Sequence, residues 1–454
     1  MTKTQRTCLF ITLMAGTMMS SMTITSTSIM LPSIIQVFDV SAVTAQWLTS
    51  GASLTSGIMI PIAAYLIKRF PSKHYFIAAM MIYSFGSLLG AVALSFPILL
   101  LGRLIQAVGC GMLLSFSQIV IMTIFPRENH GTVMGIFSLG ATFAPVVAPS
   151  IAGLVVDQLG WQSMFTIFCV IGVLITIFGF IFMKNVTETY LERFHLLPVL
   201  LSSVGFCGLL IGFGNISGNS LLRLETGGAL LIGLLSLTAF VILQLRSDNP
   251  YLNLRIFSYP MFRTSVIISI LMYLICMGSG TLLPIFAQSV LKYSATAYAL
   301  VTLPGSLIMA VVTVLAGRLY DKAGARPLFI SGVIMLVAGS ILGVMINNNS
   351  GLLHIGVVSC LLSAGTGFFN SPVTAMGLSN LEGRNRVDGS SVLNTLRQIS
   401  SSLASTFAVV IYTMVGAQSN NYFGVKVIYI CYLGFSILTI LAIVNFLKNS
   451  RSSA

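Results

Sequence analysis

The run GATFAPVVAPSIAG, Gly140 to Gly153, sets small residues at Gly140, Ala144, Ala148 and Ala152, with Pro145 and Pro149 between them. On a helix, every fourth position makes one flat stripe on which a second backbone can lie close. Each proline removes a helix hydrogen bond and crowds the carbonyl four residues earlier, which predicts a kink near the middle. A membrane interior accepts the freed backbone groups only where neighbouring helices or a water-filled cavity satisfy them. A bent, closely packed helix beside a cavity suits a transporter. A packing stripe in any polytopic protein would read the same way, so the rest of the chain has to decide.

Composition narrows the class. The chain is 56% hydrophobic and 7% charged over 454 residues, whereas soluble domains are roughly a quarter charged. It reads as an all-α polytopic membrane protein with most of its mass in the bilayer. Its seven cysteines stand singly in apolar runs, so neither a disulfide framework nor a metal site is expected. There is no Gly-Lys dipeptide for a Walker A loop, no HExxH and no GxSxG. The chain is therefore read as no enzyme, with no cofactor and no ATP drive. The first apolar run lacks a small-residue cleavage signal and is read as a retained span.

At about 20 apolar residues per crossing, spans are predicted near 9–30, 46–67, 75–95, 98–122, 131–155 and 162–183, then 196–214 and 226–245. Six more follow near 264–288, 296–317, 328–346, 352–377, 392–415 and 427–446. The polar stretches KNVTETYLERFH and RSDNPYLNLRIFSYPMFR divide these fourteen as six, two and six. The expected units are an N-terminal half over 1–185, a linker with two added helices over 186–262, a C-terminal half over 263–447 and a tail over 448–454. With both termini in the cytoplasm, only Arg223, Lys292 and Lys426 of the 23 basic residues fall outside, and Arg103 and Arg397 lie within spans. The net charge of +13 then serves orientation and anionic membrane lipid rather than nucleic acid.

Two loops align without gaps. AYLIKRFPSK, Ala64 to Lys73, pairs with GRLYDKAGAR, Gly317 to Arg326, matching Arg69 with Lys322, Pro71 with Gly324 and Lys73 with Arg326. Parallel six-helix halves with a site at their interface are a known transporter plan. The second loop resembles the GxLxDxxGxR signature of the major facilitator superfamily, and the first carries Lys68 where the acid belongs. The Gly140–Gly153 run, continuing to Trp161 and Phe165, resembles the antiporter signature of that superfamily's fourteen-span drug:proton antiporter branch. LGRLIQAVGCG, Leu101 to Gly111, resembles its fourth-span motif. Leu283, Pro284 and Gln288, Leu303 and Pro304, and Asn394, Arg397 and Gln398 match further elements. The resemblance implies a major facilitator fold of two six-helix halves plus two extra central helices. It also implies export of amphiphilic drugs or lipid-like compounds by alternating access in a bacterial-type inner membrane, with the proton as coupling ion and a monomer as the default.

Charge inside a membrane is costly and so points to function. For Arg103 the resemblance implies a coupling or switching role, and snorkelling to the interface is the alternative. Arg397, placed near the cytoplasmic end of its span, is read with Asn394 and Gln398 as hydrogen-bond neighbours. Every acid is expected in a loop or at a helix end. Thr23 stands where the family generally carries a first-span Asp, nine residues before Leu31 and Pro32, so ordinary proton coupling is in doubt. Asp157 is the best remaining coupling candidate, against a plain solvating charge; Asp39 is weaker, and His354 could titrate or merely decorate an interface. Asp321, close to Lys322 and Arg326, is read as a clamp between helix ends. Met22, Thr23, Ser26, Gln106, Asn394 and Gln398 are the expected cavity wall, although hydroxyls on the first span could equally bond their own helix. Two membrane arginines without a buried acid favour neutral or anionic amphiphiles. An uncoupled facilitator or uptake permease is the second reading. A non-transporting sensor or scaffold is the third, and it has no need of Arg103, the prolines or the paired loops.

Overall fold

A bilayer-sized apolar run can bury its backbone polar groups only by coiling into a helix, and in the computed structural model of the chain the described residues form helices joined by links, with no strand among them. The described residues are 3–125, 130–186, 196–216, 223–247, 253–347, 350–379, 381, 383–418 and 421–451. The first set of helices is α1 (Lys3–Phe38), the short α2 (Ala42–Ala45), α3 (Trp47–Arg69), α4 (Ser72–Ala91), α5 (Phe96–Ile124), α6 (His130–Leu159) and α7 (Trp161–Phe182). Next comes a pair, α8 (Leu196–Asn215) and α9 (Ala229–Arg246). The last set is α10 (Pro260–Ile285), α11 (Ala295–Ala323), α12 (Ala325–Val344), α13 (Leu352–Ser379), α14 (Gly383–Gln418) and α15 (Asn421–Arg451).

Among the described residues, 12 helices are long and apolar enough to cross a membrane, against the fourteen spans read from sequence. The two others are α3 and α6. α3 is 23 residues long and α6 is 30, each long enough for a crossing. α6 runs as one helix through Pro145 and Pro149.

The first and last sets pack in the same pairs. α1 lies on α6 and α7, α4 on α5 and α7, and α3 on α5; correspondingly α10 lies on α14 and α15, α12 on α13 and α15, and α11 on α13. The paired loops occupy equivalent places, between α3 and α4 and between α11 and α12. Their turns differ: Phe70 and Pro71 make an extended link, while Gly324 takes φ +74°, a left-handed conformation that glycine adopts without penalty. The two largest contacts between the sets, α3 with α14 and α6 with α11, are related by the same correspondence, and smaller ones run from α1 to α10 and α11 and from α2 to α14.

The α8–α9 pair packs on the rest of the molecule through α8. Its helices meet backbone to backbone at Gly208 and Gly233. α8 then lies across the α3–α14 seam, where its buried Leu210 packs with Leu54 of α3 and Ile399 of α14, flanked by Phe206, Cys207, Ile58 and Leu403.

Candidate functional site

Arg103 is held on α5 at 2% exposure. Its neighbour α4 comes very close, because a Cβ on Gly86 would stand 2.3 Å from the Gln106 backbone nitrogen. That approach brings Ser87 and Tyr83 of α4 over the arginine. Arg103 Nη1 donates to Gln106 Oε1 at 2.5 Å and Nε donates to the Leu48 carbonyl of α3 at 3.3 Å. Gln106 Nε2 in turn donates to Ser87 Oγ at 2.7 Å. Thr23 Oγ1 lies 2.6 Å from the Tyr83 hydroxyl and gives its own proton to Met19 O at 2.7 Å, so Tyr83 is the donor to Thr23. Tyr83 is also an electrostatic neighbour of Arg103 and Gln106. The structure thus joins Arg103, Gln106 and Thr23 in one buried polar cluster. Arg103 does not snorkel.

Arg397 lies on α14 at 9% exposure. The sequence reading gave it Asn394 and Gln398 as hydrogen-bond neighbours. Its described bonds run instead to α13 and α10: Nη2 donates to Thr374 Oγ1 at 2.8 Å and to Ser269 Oγ at 3.4 Å, and the guanidinium sits 5.8 Å from the Tyr273 ring centroid. Its Nε is buried without a partner. Gln398 faces α3, against Gly57. Each arginine is therefore held within its own set of helices by neutral dipoles, and among the described residues no Asp or Glu is buried.

Asp157 has a different task from either expected one. At the end of α6 it reaches the first turn of α11: Oδ1 accepts from Ala295 N at 3.2 Å and Oδ2 from Thr296 N at 2.7 Å, while Ser294 Oγ accepts from Ala297 N at 3.1 Å. Three orphan donors of a helix N-terminus are thus satisfied, two of them from the other set, where a negative charge also suits the helix dipole. Gly153 makes the approach possible, since a Cβ there would stand 2.8 Å from the Ala295 carbonyl. At the other end of the stripe Gly140 meets Met14 and Met18 of α1. Ala144, Ala148 and Ala152 are buried, and Pro145 and Pro149 are half-buried.

The partner seam is also polar. Gln46 Nε2 donates to Thr406 Oγ1 at 3.1 Å, Ser402 Oγ donates to Ser50 O at 2.7 Å, and the Ser53 and Ser401 hydroxyls lie 3.5 Å apart. Neutral bonds of this kind exchange readily for water.

The expected cavity wall on α1 is largely closed. Thr17, Ser20, Ser21, Thr23 and Thr27 bond carbonyls one turn back on their own helix, and Ser26 Oγ reaches Ala148 O only at 3.5 Å. Met22 and Asn394 are half-buried. A cavity of about 700 Å³ lies elsewhere, between α3, α8, α9 and α14, and none of those expected wall residues lines it. His354 is tied between Ser350 Oγ at 3.2 Å and Leu342 O at 2.9 Å, a structural placement. Asp39 is exposed. The side chain of Asp321 lies outside those described.

Sequence reasoning missed Tyr83, Ser87, Ser269, Thr374 and the Gln46–Thr406 pair. For the first two a signal existed in YSFGSLLG, where Tyr83, Gly86, Ser87 and Gly90 share one small or polar face of an apolar helix.

The family model described as Major Facilitator Superfamily matches residues 13–405. The chain is 35% identical over 405 residues to the uncharacterized MFS-type transporter YhcA of Bacillus subtilis (strain 168), covering 89% of this chain and 76% of that protein. It is 33% identical to the lincomycin resistance protein LmrB of Listeria innocua, over 85% of this chain and 82% of the relative. In fold it is similar to the crystal structure of a bacterial homologue of the human lysosomal transporter Spinster, with a TM-score of 0.74 at 16% identity and 99% of each chain covered.

Proposed function

The chain belongs to the major facilitator superfamily, and from that premise we propose that it exports amphiphilic, drug-like molecules by alternating access. The observation that carries the reading is the pair of related seams, α3 with α14 and α6 with α11. Beside their close packing, the polar ties across them are the Asp157 cap and a few neutral hydroxyl bonds. Such contacts can break and re-form at low cost, which a rocking transporter needs and a fixed scaffold does not. Similarity to a lincomycin resistance protein over most of both chains supports a drug-like cargo. In this reading α3 and α6 also cross the bilayer, giving fourteen spans, with both termini in the cytoplasm of a bacterial-type inner membrane. The transporter works as a monomer. Two buried arginines without a buried acid favour neutral or anionic cargo.

The drive is the proton gradient, and Asp157 is where a proton can act. Neutralising this carboxylate weakens its hold on the α11 terminus and releases the seam. A second reading, the uncoupled facilitator, is favoured by one specific observation: Thr23, where an acid would serve coupling, is committed to Met19 and Tyr83. Reconstituted protein under an imposed pH gradient separates the two. Uphill export by the native chain, lost in Asp157→Asn while downhill flux persists, is the expected outcome. Export indifferent to the gradient in the native chain establishes the facilitator instead.

A further inference from the structure

The 700 Å³ cavity beside α8 and α9 is as large as many small-molecule sites, which span roughly 300–1,000 Å³. α3 contributes Gly57 and Ile58; α14 contributes Val392, Thr395, Leu396 and Ile399; Phe206, Leu237 and Phe240 add an aromatic and aliphatic wall from the helix pair. Among its lining residues Arg255 is the one charge. Asp388, one turn before Val392 on α14, is not a lining residue.

Three features define an occupant. First, the cavity opens sideways: Val241 and Leu245 line it yet are 40% and 44% exposed, on a helix whose outer face is the apolar Leu231, Leu234 and Leu235. Second, its charged end is built. The short 3₁₀ turn Leu254–Ser258 closes it, and Asn253 pins that turn by donating to Asn385 Oδ1 at 3.0 Å while accepting from Arg255 N at 3.2 Å. Arg255 Nη2 donates to Leu245 O at 3.1 Å, which holds the guanidinium at the cavity rim. Third, α3 and α14 belong to different helix sets, so whatever fills the cavity touches both sides of a seam.

We propose that this cavity is a lateral site for an anionic phospholipid, with an acyl chain between α3, α8, α9 and α14 and the headgroup phosphate on Arg255. A hydrocarbon tail matches the dry walls, entry from the bilayer matches the exposed α9 side, and a planar guanidinium suits two phosphate oxygens. The bound lipid braces the α8 bridge across the seam and favours the conformation in which α3 and α14 touch.

Native mass spectrometry of the purified full chain, after equilibration with equal phosphatidylglycerol and phosphatidylcholine, tests this. Phosphatidylglycerol is expected to stay bound preferentially, with roughly fivefold less retention in Arg255→Gln, recovery in Arg255→Lys, and loss in Val241→Trp, which fills the space. Size-exclusion profiles confirm that each variant is folded, and Val241 and Arg255 are exposed enough to tolerate change. Equal retention of both lipids, or retention that neither Arg255→Gln nor Val241→Trp reduces, overturns the assignment. Displacement of the lipid by a transported drug at stoichiometric concentration also overturns it, since the cavity would then be a cargo site.

Discussion

A buried guanidinium supported only by neutral dipoles is an expensive residue. Removing an ion from water costs several kcal/mol after relaxation, and the bonds from Arg103 to Leu48 O and Gln106 return roughly 1.5–3 kcal/mol each. The two sums are close, so Arg103 contributes little to net stability and its value lies in what the charge does. Arg103→Met is therefore expected to leave the melting temperature of the purified protein unchanged or raised while export falls at least tenfold. Arg103→Lys is expected to be intermediate, because one ammonium cannot span both acceptors in the same geometry. Thermal unfolding and export, measured on the same preparations, check this. A destabilised Arg103→Met that still transports would reduce the arginine to a packing element.

At the scale of elements, the arginine cluster exists because α4 and α5 nearly touch. The neighbour that a Cβ on Gly86 would meet is backbone, which cannot swing aside as a side chain can. Gly86→Ala must separate the helices and is expected to cost about 1–3 kcal/mol, seen as a lower melting temperature together with lost export. Gly280→Ala, on α10 with nothing within 4 Å of the new carbon, is the neutral control. Equal behaviour of the two variants would refute the close approach. The contrast also marks what was legible in the sequence. The helices could be located because the bilayer demands long apolar runs, and predicted starts such as 196 and 352 match α8 and α13. The buried arginines were legible because charge stands out in such runs. Their partners were not, since an all-apolar helix does not declare which face meets which neighbour. Hence Arg397 was assigned companions on its own helix, whereas Ser269 and Thr374 come from two others.

For the whole molecule the decisive feature is that Asp157 of one helix set finishes the N-terminus of a helix in the other. A carboxylate cap is worth about 1 kcal/mol, small against total stability yet large for a two-state seam, where it changes the population ratio roughly fivefold. Asp157→Ala is therefore expected to raise the fraction of molecules with α6 and α11 apart about fivefold. Spin labels at the exposed Leu159 and Lys292, in a background without native cysteines, report that fraction by pulsed electron resonance. Thr406→Val, which removes the Gln46 bond at the related seam, should move the same labels in the same direction, because rigid halves cannot open one seam and keep the other shut. If each substitution loosens only its own seam, the helix sets are not rigid bodies and rocking is the wrong description. If the double variant opens no further than either single one, the two contacts act as one latch, and breaking either half releases it.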